Sequence, residues 1–153
     1  MKKMILASTS TIFGSNYLEY LFPVVKTLFR NSNNILFIPY ARPNGISHKA
    51  YTQLVSDTFN KINLSIVGID NYDSPIENIN SCDGIFIGGG NSFLLLDKIQ
   101  KYKLSEKITN KVNSGTPFLG TSAGSNICGI TIGTTNDMPI IHPSTLNSLN
   151  LVP

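Results

Sequence analysis

The chain has 153 residues, 41% of them apolar, and carries a net charge of +3. Such a length fits one domain that buries about 70% of the surface its unfolded form exposes, and the apolar share excludes a disordered chain. No apolar run approaches the ~18 residues of a membrane span, and no basic–aromatic stripe points to nucleic acid.

The predicted elements alternate. Met4–Ala7 is a short apolar run after two lysines, which reads as a first strand and not as a signal peptide. Leu18, Leu21, Phe22, Val25, Leu28 and Phe29 recur at helical spacing, with Pro23 either kinking that helix or marking its first turn. Ile35–Tyr40 is a β-branched and aromatic run. Residues 47–61 place Tyr51, Leu54, Val55 and Phe59 on one helical face. Leu64–Ile69 reads as a third strand, Ile85–Ile87 as a fourth, and Phe93–Ile99 and Leu104–Val112 as helices. Phe118–Leu119 is a fifth strand, and residues 129–150 are loop-rich. Lys98, Lys101, Lys103, Lys107 and Lys111 lie among Asp97 and Glu106, which suits a solvated helix face. Continuous apolar strands separated by amphipathic helices predict an α/β fold, a mostly parallel sheet with helices on both faces. Ligands of such sheets bind beyond the carboxyl ends of the strands.

Two glycine-rich turns follow such ends. Gly120–Gly124 reads GTSAG and fits G-x-S-x-G, the nucleophile elbow. The residues beside the serine must be tiny because the turn is sharp. The amide of Ala123, directly after Ser122, is the expected oxyanion donor. The competing reading is a tight turn whose serine caps a helix. Gly88-Gly89-Gly90-Asn91 is no P-loop, since Gly-Lys-Ser/Thr is absent, and Phe93 stands where G-x-G-x-x-G needs its last glycine. Its amides could face the serine turn as a second oxyanion donor, or it is a plain strand-to-helix turn capped by Asn91. Cys82 and Cys128 have no metal spacing and suit buried free thiols in a reducing cytosol. Cys128, six residues past Ser122 and expected on the following helix, is not at the elbow. No metal or organic cofactor is implied.

The segments FIGGGNSFLLL (86–96), FLGTSAGSN (118–126) and TIGTTNDMPII (131–141), with ILAS near the start and ILFIPYA at 35–41, together resemble the peptidase E family of aspartyl dipeptidases. The resemblance implies a class I glutamine-amidotransferase-like (flavodoxin-like) fold and a cytoplasmic serine peptidase that cleaves dipeptides with an N-terminal aspartate. It implies Ser122 as nucleophile and the amides of Gly90 and Ala123 as the oxyanion hole. Asp137 matches an acidic residue near the family's active site, in a role of orientation or of binding the substrate amine; Asn91 goes with it on the substrate side. Without the resemblance, Asp137 reads as an Asn-Asp turn before Pro139.

The family's catalytic histidine lies in an Asn-Pro-His segment beyond the serine, past residue 153. The chain is therefore expected to match the N-terminal two-thirds of a peptidase E, incomplete at its C-terminus. Its activity is then expected to be weak or absent, because a serine without a base is a poor nucleophile. His142, in the loop after MPII, is the internal substitute to weigh; His48, at a helix start, is a poorer one. The alternative function is a non-catalytic binding or regulatory protein that keeps the fold and pocket. An incomplete sheet would also leave apolar surface uncovered, which favours a homo-oligomer or marginal stability.

Overall fold

The computed structural model describes residues 1–71 and 74–153. Five strands, β1 (Met4–Ala7), β2 (Ile35–Ile38), β3 (Ile66–Gly68), β4 (Gly84–Ile87) and β5 (Phe118–Thr121), form one sheet in the order β1-β5-β4-β2-β3. All four pairings are parallel. The helices are α1 (Phe22–Leu28), α2 (His48–Asn60), α3 (Pro75–Ser81), α4 (Ser92–Lys101), α5 (Ser105–Asn113) and α6 (Ala123–Asn126). This is the α/β architecture that the strand–helix alternation predicts, and its run β3-β2-β4-β5 has the flavodoxin-like order that the resemblance implies.

Position in the sheet explains the composition of each strand. The three inner strands read ILFI, GIFI and FLGT and are buried at every residue. The edge strands β1 and β3 are only partly buried. Successive side chains alternate between faces. Leu36, Ile38, Ile85, Ile87 and Phe118 join one core with residues of α3, α4 and α5. Ile35, Phe37, Phe86 and Leu119 join the other with Val25, Tyr51, Val55 and Phe59 of α1 and α2.

Local signals set the helix starts. Pro23 falls in the first turn of α1, where its missing N–H costs nothing, so it marks that turn and does not kink the helix. The Ser47 hydroxyl accepts the Ala50 amide at 3.1 Å and starts α2. One prediction needs correcting: α6 ends at Asn126, so Cys128 lies beyond the helix. Among the described residues no helix is long and apolar enough to cross a membrane.

Because all strands are parallel, their carboxyl ends share one rim. The chain leaves β2 to build β3 on one side, then returns to build β4 on the other. The crevice between the ends of β2 and β4 is thus a topological switch point, where open α/β sheets bind ligands.

Candidate active site

Ser122 joins β5 to α6 with φ 51° and ψ −115°, a conformation that non-glycine residues adopt only under strain. The surroundings hold it there. Its amide donates to the Ala7 carbonyl at 2.9 Å, and its carbonyl accepts from the amides of Ser125 (2.9 Å) and Asn126 (3.0 Å). The Ser125 hydroxyl lies 2.8 Å from the carbonyls of both Ala7 and Gly120, tying the first turn of α6 to β1 and β5. A side chain at Gly124 would collide with the Ile87 carbonyl, so the glycine two residues after the serine is a packing requirement between α6 and β4.

The glycine turn after β4 lies against this elbow. A Cβ on Gly89 would sit 3.0 Å from the Ser122 Cβ. The Gly89 amide is already spent, donating to the Tyr51 hydroxyl at 3.1 Å. The next residue, Gly90, has φ +147° and passes so close to the Ala41 carbonyl that no side chain fits. The Asn91 amide donates to that same carbonyl at 2.7 Å. The amides of Gly90 and Ala123 donate to no acceptor among the described residues, and neither does the Ser122 hydroxyl. The rim therefore offers one free hydroxyl beside two uncommitted N–H groups.

The TTNDMPI loop folds over the start of α4. Asp137 accepts the Ser92 amide at 2.7 Å, placing a carboxylate where the helix dipole favours it. Asn91 accepts the Leu94 amide at 3.0 Å and donates its side-chain amide to the Met138 carbonyl at 2.7 Å. Both ends of the Asn91 side chain are thus engaged with the scaffold, while Asp137 keeps one oxygen without a partner among the described residues.

The model of peptidase family S51 matches residues 4–153. The chain belongs to peptidase family S51. Peptidase E of Shewanella denitrificans is 41% identical over 149 residues, which cover 97% of this chain and 63% of that one. Peptidase E of Shewanella amazonensis is 41% identical over 153 residues, covering 99% and 64%. The chain thus spans a little under two-thirds of the length of these relatives. Among solved structures, a Listeria monocytogenes protein provisionally assigned to peptidase E superposes with a TM-score of 0.79 at 21% identity, covering 99% of this chain and 76% of the other. A peptidase from an acI-B1 actinobacterium gives 0.69 at 20% identity, covering 86% and 58%. These two show the shared fold.

Within this S51 chain neither histidine hydrogen-bonds to Ser122 among the described residues. His142 lines a cavity of about 420 Å³ with Asp97, Gln100, Lys101, Ile141 and Ser144. Gln100 lies nine residues past Asn91 along α4, about 14 Å of helical rise from the glycine turn. His48 points its Nδ1 at Asp70, 3.0 Å away, and Asp70 also accepts the Tyr40 hydroxyl at 3.0 Å. That cluster follows β2 and β3. Three inter-strand steps, about 14 Å, separate β3 from β5. Cys128 offers no substitute nucleophile: it is fully buried, burial pushes its thiol up to about 12, and it donates to the Gly124 carbonyl at 3.4 Å.

Some contributors escape sequence reasoning. The Asn126 side chain donates to the hydroxyls of Ser92 (3.1 Å) and Thr135 (3.2 Å), linking α6 to α4 and to the TTNDMPI loop. Tyr51 supports Gly89 from the opposite face of the sheet. In sequence it is one more apolar position of an amphipathic helix, and nothing marks its hydroxyl. Asn126 at least adjoins the SAG motif.

Proposed function

We propose that this chain carries the nucleophile and oxyanion hole of a cytoplasmic serine dipeptidase acting on dipeptides with an N-terminal aspartate. The observation that supports this best is the elbow. A strained serine holds a hydroxyl near two N–H groups, and none of the three has an acceptor among the described residues. Strain of this kind persists only where the surroundings impose it, and it clusters at active sites.

In this reading the Ser122 oxygen attacks the carbonyl carbon of the aspartyl residue, and its proton passes to a general base. The carbonyl oxygen takes up the negative charge and accepts hydrogen bonds from Gly90 and Ala123. The carbon–nitrogen bond breaks, the leaving amine takes the proton, and water then hydrolyses the aspartyl ester. The open oxygen of Asp137 suits the substrate's ammonium group, with Asn91 holding that loop in place. In this reading neither His48, which is paired with Asp70, nor His142, which lines a separate cavity, serves as that base. We propose that it comes from a segment outside these 153 residues, so that the chain by itself turns over weakly or not at all. Loss of one member of such a triad costs roughly four orders of magnitude.

The test is hydrolysis of Asp-Leu by this chain and by Ser122→Ala. No turnover above the mutant is expected, with activity returning when a C-terminal segment bearing a histidine is supplied. Turnover that depends on Ser122 in the chain alone would place a base among these residues. Turnover that survives Ser122→Ala in the complemented protein would remove the serine from the mechanism. A complemented, folded protein that binds Asp-Leu without hydrolysing it would favour the binding-protein alternative.

A further inference from the structure

The turn Gly88-Gly89-Gly90-Asn91 leaves β4 through consecutive glycines. Without Cβ atoms such a turn has little steric preference of its own, so hydrogen bonds must fix where each amide points. The Gly88 amide donates to the Ile38 carbonyl at 3.3 Å and the Asn91 amide to the Ala41 carbonyl at 2.7 Å. The Gly89 amide donates to the Tyr51 hydroxyl at 3.1 Å. Only the Gly90 amide, lying between these fixed neighbours, has no acceptor among the described residues. Two of the acceptors are backbone carbonyls, and the remaining one is a single side-chain oxygen.

A packed shell holds that oxygen. Tyr51 is fully buried on α2. Its ring meets Phe37 edge-on at 5.0 Å between centroids, and the Arg42 guanidinium lies 4.5 Å over it. Its hydroxyl also meets the Tyr17 hydroxyl at 3.2 Å. Burial holds Tyr17 well above the usual tyrosine range, so that partner stays neutral. A Cβ on Gly88 would stand 2.6 Å from the Tyr51 oxygen, so this glycine is the gap through which the hydroxyl reaches the turn. Gly89 in turn packs on Ser122, where a Cβ would lie 3.0 Å from the serine Cβ.

We propose that Tyr51 is a positioning residue: its hydroxyl, acting from the opposite face of the sheet, locks the glycine turn and keeps the Gly90 amide free for an oxyanion at Ser122. This rests on the reading of Gly90 as an oxyanion donor. Removing the Tyr51 oxygen leaves the buried Gly89 amide without an acceptor, and the turn relieves that cost by rotating. A neutral peptide carbonyl gains little from Gly90, whereas a negatively charged tetrahedral oxygen gains much. The loss therefore falls on the tetrahedral state and spares the ground state.

The experiment combines amide NMR with ligand binding on the full chain and on Tyr51→Phe, which keeps the ring. In the wild type the Gly89 amide should exchange as slowly as the amides of β4. Exchange there as fast as in an unprotected loop overturns the proposal without any variant. In Tyr51→Phe, Gly89 exchange should accelerate about tenfold or more and the Gly90 signal should shift or broaden, while β4 and β5 keep their protection. Val55→Ala, on the same helix, controls for stability loss alone and should leave both glycine signals in place. The ligands are Asp-Leu and a boronic acid analogue of aspartate. Its boron bonds the Ser122 oxygen and becomes tetrahedral and anionic, the hydroxyl proton leaving to solvent. Tyr51→Phe should weaken the boronate on the order of ten- to a hundredfold and change Asp-Leu affinity by less than about twofold. Unmoved glycine signals, equal boronate affinity, or an equal loss for both ligands overturns the positioning role and leaves the dipeptidase reading standing. A boronate that binds wild type no better than Ser122→Ala, with the glycine signals responding to Tyr51→Phe, keeps the hold of Tyr51 on the turn and sinks the dipeptidase reading.

Discussion

At the ends of β2 and β3, Tyr40, Asp70 and His48 are bonded to one another. At the ends of β4 and β5, Ser122, Gly90 and Ala123 face each other with their donors unspent. The first cluster has the residue types of a catalytic triad, a hydroxyl, a carboxylate and an imidazole, yet its hydroxyl belongs to a Tyr40 side chain that is 1% exposed. Burial, then the Asp70 carboxylate beside it, hold the Tyr40 hydroxyl well above the usual tyrosine range and keep it neutral. The second cluster has no carboxylate and no imidazole, but it has backbone strain and open amides. Residue types alone would direct attention to the first cluster. Satisfied hydrogen bonds mark a structural cluster, and unsatisfied ones held by rigid elements mark a place for a ligand.

This contrast can be broken most strongly at Gly124. Gly124→Ala drives a methyl group into the Ile87 carbonyl and should cost about 3 kcal/mol, near the upper end for overpacking. Chemical denaturation measures it, and a loss under 0.5 kcal/mol would mean that the elbow tolerates displacement and is not held by packing. Next in size is Asp70→Ala. It strands the buried Tyr40 hydroxyl and should cost about 2 kcal/mol while leaving ligand binding at the Ser122 rim unchanged. Weakened Asp-Leu binding in a folded Asp70→Ala protein would show that the two clusters are coupled. Ser122→Gly should move stability the other way. Relief of strain at φ 51° outweighs the added chain entropy of glycine, for a gain of about 1 kcal/mol. A lower melting temperature for Ser122→Gly would show that the serine conformation is not strained.

How much of this was legible in the sequence follows from which residues had to pack on themselves. ILFI, GIFI and FLGT could only be strands buried on both faces, so the sheet and its helices were readable. The elbow was readable because its tiny residues are forced by a backbone collision, which leaves a motif. The helix Pro75–Ser81 was missed. It has only Ile76 and Ile79 as apolar anchors among asparagines, and its serine cap accepts the Glu77 amide at a long 3.4 Å. The length of α6 was also misjudged, since the tertiary bonds of Ser125 and Asn126, not helix propensity, set its end. Tyr51 and Asn126 were silent for a common reason. Tyr51 bonds an amide 38 residues away and Asn126 a hydroxyl 34 residues away, and no local pattern encodes such contacts.

The smallest expected effect is a titration, and it probes how tightly the region behind the elbow is closed. Cys128 lies just past α6, and Cys82 ends α3; burial pushes their thiols from 9.0 up to about 12 and about 11. In the unfolded chain they ionise near pH 9, whereas in the folded chain they stay protonated. Above pH 9 the unfolded state therefore binds fewer protons than the native state, and stability falls as pH rises. At pH 9 each thiol should cost under about 1 kcal/mol, growing towards pH 11, with the hydroxyls of Tyr17 and Tyr40, which burial holds above the usual tyrosine range, adding to the loss above pH 10. Melting temperatures across pH 8–10 read this directly, and Cys128→Ala should flatten the slope by one thiol's share. The same closure predicts that Cys128 resists alkylation at pH 8 in the folded protein. Rapid modification there would mean that the turn behind Ser122 opens, and the rigidity on which the proposed oxyanion hole of Gly90 and Ala123 depends would be lost.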